Sequence, residues 1–107
     1  MNKFLSRMEK DLVCYKKMPL WSGRVPDGFK CKHNTKVGTW AKLEIYKGSL
    51  DFAFLTDKGE ITEQFTFTKE NQPPFIEPQK WHKIVSCSDD IECQLSFYHK
   101  EKAEPQQ

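Results

Sequence analysis

The chain has 107 residues, of which 37% are hydrophobic, 13% aromatic and 30% charged. That length supports one hydrophobic core, since a domain of this size buries roughly two-thirds of its unfolded surface, and it excludes a two-domain reading. Apolar runs fall far short of the ~20 residues of a membrane-spanning helix. The 17 basic and 15 acidic residues interleave to a net charge of +2, so no broad basic face exists and nucleic acid is not an expected partner.

Residues 1–11 read as a flexible lead-in. Charges run through this stretch and no apolar h-region is present, which argues against a signal peptide and for a cytoplasmic protein. The four cysteines, Cys14, Cys31, Cys87 and Cys93, are then expected to be reduced thiols, most of them small buried hydrophobes. No C-x-x-C occurs, so the usual zinc-knuckle and thioredoxin spacings are missing.

Residues 12–100 carry the folded domain. Strand character begins at Leu12 and meets turn chemistry at Pro19, Ser22-Gly23 and Pro26-Asp27-Gly28. Phe29 to His33 alternates softer side chains with lysines, as an exposed edge strand would. Thr39 to Tyr46 alternates Thr39, Ala41, Leu43 and Ile45 with Trp40, Lys42, Glu44 and Tyr46, and Gly48 permits a tight turn into Ser49–Leu55. Further strands are predicted at Glu60–Thr68, Trp81–Cys87 and Ile91–Tyr98, with Phe52, Phe54, Phe65, Phe67 and Phe97 as the bulk of the core. Residues 101–107 read as a loose tail. Six or more short strands without helical periodicity predict an all-β sandwich or barrel.

Three histidines are present, and two stand in informative places: His33 closes one predicted strand and His82 opens another. If those strands are neighbours, the imidazoles meet inside the barrel mouth. One ligand from each of two strands is a workable start for a metal, with Glu77, Gln94, a cysteine or water completing the set. The alternative is a hydrogen-bonded, partly buried pair. Cys31 and His33 face the same way on a strand, which suits a soft metal or a nucleophile with its base, but no oxyanion hole or orienting carboxylate is announced. His99 reads as a surface residue. Nucleotide-binding glycine motifs, G-x-S-x-G and H-E-x-x-H are all absent.

The stretches Val13–Trp21, His33–Leu43 with Gly48 after it, Phe75–His82 and Asp89–Tyr98 resemble, in collinear order, the N-terminal domain of the TehB tellurite-resistance family. The single-domain YeaR type looks similar at His33, Gly38, Gly48 and Lys80-Trp81-His82. The resemblance implies a cupin-like double-stranded β-helix, a small antiparallel β-sandwich barrel. It places His33 near the first cupin ligand motif and His82 on the second, while Lys36 and Ala41 lie near the positions of the missing histidine and glutamate. It thereby implies a divalent transition metal, zinc foremost, on His33, His82 and Glu77, and a ligand pocket drawing on Cys31, Trp40, Leu43, Trp81 and Gln94.

The full-length family joins this domain to an S-adenosylmethionine-dependent methyltransferase, whose glycine-rich cofactor motif is missing from these residues. The expected function is therefore an accessory one, binding a metal, an oxyanion or a small metabolite without methyl transfer. The alternative is a small metal-dependent cupin enzyme using His33 and His82. A homodimer is expected through the lysine-rich edge ending at His33.

Overall fold

A computed structural model describes residues 11–100. Residues 1–10 of the predicted lead-in 1–11, and the tail 101–107, lie outside the described residues. Seven strands form in chain order: β1 (Leu12–Lys17), β2 (Trp21–Ser22), β3 (Trp40–Lys47), β4 (Ser49–Leu55), β5 (Ile61–Thr68), β6 (His82–Cys87) and β7 (Glu92–Lys100). All named strand pairs are antiparallel, and they divide into two sheets. In the first sheet β7 is central, with β3 on one edge and β1 and β2 in succession on the other. In the second, β4 lies between β5 and β6. The all-β antiparallel sandwich is the expected fold.

The core follows from strand alternation. Ala41, Leu43 and Ile45 of β3, Leu50, Phe52 and Phe54 of β4, Ile84 of β6, and Cys93 and Leu95 of β7 are all buried in one cluster. At one end of the sandwich Gly48 turns β3 into β4 with a φ of +80°. A Cβ there would lie 2.4 Å from Ser88 Oγ and 3.0 Å from the Ile91 backbone, so the turn packs directly on the β6–β7 connection. Ile45, Leu50, Ile91 and Cys93 around it have no exposed surface.

The free edge of β3 is covered by the segment before β6. Gln72 reaches in with its side-chain amide, accepting from Ile45 N at 2.8 Å and donating to Ile45 O at 2.7 Å. Farther along, Ala41 and Ile76 exchange both backbone hydrogen bonds. Gln72 thus acts as one residue of a pairing strand, satisfying groups an edge would otherwise leave open.

Three sequence expectations need correction. Phe29–His33 is not an edge strand: Asp27–Lys30 makes a 3-10 turn, and only His33 pairs, as an isolated bridge to His82. The lysine-rich edge on which a homodimer was expected is therefore absent. Phe65 is 40% exposed, because β5 is the outer strand of its sheet and nothing among the described residues pairs with its far side. Of the four cysteines only Cys93 is buried; Cys87 is half-buried, and Cys14 and Cys31 are exposed. No helix of the described residues is long and apolar enough to cross a membrane.

Candidate functional site

The sandwich is filled at the Gly48 end and hollow toward the other. A cavity of about 400 Å³ opens there between the two sheets. Its walls are apolar: Trp21, Phe29, Ala41, Leu43, Phe52, Ile76, Ile84, Leu95 and Phe97. The polar lining consists of Tyr15, Lys16, Asn34, Thr35, Lys36 and Thr39 together with His33 and His82, and it includes no carboxylate.

His33 and His82 meet because their backbones pair. His33 N donates to His82 O at 3.0 Å and His82 N donates to His33 O at 2.9 Å. Residues directly opposite in an antiparallel pair carry their side chains on one face. The rings accordingly sit edge to face with centroids 4.3 Å apart. Each ring is oriented through Nδ1, His33 toward Cys31 O at 2.8 Å and His82 toward Lys80 O at 2.7 Å. A carbonyl accepts only, so both Nδ1 atoms carry the proton in the neutral rings and Nε2 is left with the lone pair. His82 is buried and stacks on Phe52 at 5.5 Å. Burial, reinforced by the neighbouring His33, pushes its pKa down from 6.5 to about 4, against the opposing effect of the Lys80 carbonyl. His82 is therefore neutral at physiological pH.

The rim is built by two devices. One is a β-bulge in β1: Cys14 pairs with Tyr98 and Lys16 with Phe97, leaving Tyr15 extra. Consecutive strand residues normally point to opposite faces, but across the bulge Tyr15 and Lys16 both reach the cavity. Tyr15 shares a hydrogen bond with Thr39 Oγ1 at 3.1 Å and stacks on His99 at 5.2 Å. The other device is the loop 33–39, pinned by Thr35. Gln79 N donates to Thr35 O at 3.0 Å and to Thr35 Oγ1 at 3.1 Å, which brings Lys36 and Asn34 to the cavity wall.

Of the residues singled out in the sequence, the structure brings together His33, His82 and Leu43. Glu77 does not join them. It is exposed and off the cavity lining, and its described role is to accept with its backbone oxygen from Thr35 Oγ1 and Lys80 N. Cys31 is exposed with its thiol directed at Asp27 O, and Gln94 is engaged with Met18 O and the Tyr46 hydroxyl. Trp40 and Trp81 lie outside the lining with Lys100 and Lys32 over their rings. The same-face argument that paired Cys31 with His33 does not apply, since Cys31 lies outside any strand.

Zinc sites with catalytic or binding roles use three protein ligands and an open position. Among the described residues no group of three or more His, Cys, Asp or Glu side chains is positioned to hold a metal ion. The donor set is two imidazoles, which does not fit the three-ligand zinc site implied by the sequence resemblance.

The described residues thus form a two-sheet antiparallel sandwich enclosing an apolar cavity with a polar, lysine-bearing rim. The model of the TehB-like domain matches residues 16–95, and the chain belongs to that family. It is 48% identical over 96 residues to the probable S-adenosyl-L-methionine-dependent methyltransferase TehB of Haemophilus influenzae (strain 10810), a match covering 89% of this chain and 34% of the relative. The TehB of strain ATCC 51907 / DSM 11121 / KW20 / Rd is 49% identical over the same length. The chain thus spans about a third of the curated relatives it matches. The crystal structure of TehB from H. influenzae superposes with a TM-score of 0.82 at 50% identity, over 87% of this chain and 33% of that one. A crystal structure of a protein from E. coli (strain K12) shares the fold, with a TM-score of 0.75 at 20% identity over 87% and 95% of the two chains.

Proposed function

We propose that this TehB-like domain is a binding module that captures a small anionic molecule in the cavity between its sheets, without itself transferring methyl groups. The lining carries this reading: Lys16, Lys36 and Asn34 stand at a cavity of about 400 Å³ that has no carboxylate to oppose an anion. That volume lies in the usual range for small-ligand sites. The family resemblance adds the setting, an accessory role in resistance to tellurite or related chemical stress. The neutral His82 ring serves as a wall of the cavity, and His33 stands beside it.

Calorimetric titration with tellurite, phosphate and small organic acids tests this. At least one anion is expected to bind, and Lys16→Gln together with Lys36→Gln is expected to weaken it about tenfold or more. Zinc binding near one equivalent that disappears in His82→Ala would overturn the reading in favour of a metal-dependent cupin enzyme.

A further inference from the structure

The apolar character of the cavity narrows what kind of anion belongs in it. From the walls and rim together we infer that the ligand is an organic monocarboxylate with an apolar body, its carboxylate at Lys16 and Lys36 and its hydrocarbon or ring portion against Leu43, Phe52, Ile84 and Leu95. The inference rests on the cavity being the binding site proposed above.

Two observations carry it. First, a compact inorganic oxyanion is strongly hydrated, and enclosing it among aliphatic and aromatic side chains costs its solvation without compensating hydrogen bonds. Nine of the residues lining this cavity are hydrophobic, and its two lysines are exposed residues. A bare oxyanion would occupy the rim and leave the walls facing water, whereas an apolar body removes that surface from water. Second, the charge is confined to the rim. Lys16 and Lys36 are exposed, while the wall across the cavity presents Phe52 stacked on the buried His82. A molecule charged at one end and apolar at the other matches this gradient; a dianion with carboxylates at both ends does not.

The bulge at Tyr15 contributes to the same arrangement. In a regular ladder Tyr15 would oppose Phe97 and Lys16 would alternate away from the interior, so the register slip is what keeps both lysines at the rim. The shared hydrogen bond between Tyr15 and Thr39 ties β1 to the 33–39 loop across the mouth, fixing the two lysines on elements that are joined.

The test is a homologous series measured by calorimetry on the whole chain: acetate, butanoate, hexanoate and octanoate, with benzoate as a ring-bearing member. Affinity is expected to rise about fourfold per methylene until the cavity is full, the increment given by burial of one CH₂. Hexanol and benzyl alcohol should bind at least tenfold more weakly than the matching acids. The Lys16→Gln/Lys36→Gln double variant should remove that difference while keeping the dependence on chain length. The inference is overturned if affinity is flat along the series, or if the alcohols bind as well as the acids. It is also overturned, with the anion-binding reading left standing, if tellurite or phosphate binds in a lysine-dependent way and the acids do not. If none of these anions binds, both readings fall.

Discussion

The two ends of the sandwich are made from the same strands and end differently. At the Gly48 end Ile45, Leu50, Ile91 and Cys93 close against each other with no exposed surface. At the other end Leu43, Phe52 and Leu95, two residues along the same β3, β4 and β7, face a cavity of about 400 Å³ together with Ile84 of β6. Strand alternation supplies inward hydrophobes at both ends, so the difference is made by the connections. One short turn at Gly48 and the Ser88–Asp90 corner seal the first end. The long segments 23–39 and 69–81 start at that filled end and run toward the second, where the His33–His82 and Ala41–Ile76 bridges hold them beside the cavity.

The largest expected effect on this comparison comes from truncating equivalent core leucines. Leu50→Ala at the filled end should cost about 3–5 kcal/mol, because it opens a new void in close packing. Leu95→Ala, at the wall of an existing cavity, should cost at least about 1 kcal/mol less. Urea unfolding of both variants checks this, and equal losses would break the contrast. Glycine substitutions sharpen it at a smaller scale. Gly48→Ala combines a left-handed backbone with contact against Ser88 and Ile91, and should cost about 2 kcal/mol or more. Gly38→Ala, with a similar φ of +79° but nothing within 4 Å, should cost only the backbone strain of about 1 kcal/mol.

A pH-dependent effect, electrostatic in origin, belongs to the hollow end alone. His82 has a folded pKa of about 4 against 6.5 unfolded, so below pH 6.5 the unfolded chain binds the extra proton. Its contribution to stability is complete above pH 6.5 and is lost as the pH falls toward 4. Between pH 7 and pH 5 the loss should be about 2 kcal/mol, at 1.36 kcal/mol per pH unit below 6.5. The loss should be absent in His82→Gln, where no group titrates. Chemical denaturation of both proteins at the two pH values measures the difference, and parallel slopes would remove His82 as the source.

Most of the sandwich was legible in the sequence because alternation and turn residues are local signals. β4 was predicted at Ser49–Leu55 and forms there, and β3, β5 and β6 fall within one residue of their predicted bounds at most ends. The Phe29–His33 segment was misread since lysines alternate there without a strand: Pro26-Asp27-Gly28 continues into a 3-10 turn instead. At the cavity, the pairing of His33 with His82 was accessible as a possibility, since both flank predicted strands. Tyr15 and Lys16 were not. Their common direction depends on a register slip against β7, and nothing in a single strand's sequence marks where its partner slips. Thr35 and Asn34 were missed for a related reason, since their place on the cavity wall is set by Gln79 from a distant loop.

The pairing of β1 with β7 has an architectural consequence. Leu12 lies opposite Lys100, so the chain enters and leaves the described domain at neighbouring positions on one sheet. Opposed residues in an antiparallel pair are only about 5 Å apart at Cα. A domain with such closely spaced ends can be spliced into a surface loop of a host protein without pulling the loop apart, and its native ends can be joined while new ones are opened elsewhere. The fold is thus suited to transplantation as a self-contained cassette, with its cavity and rim carried intact into a new covalent setting.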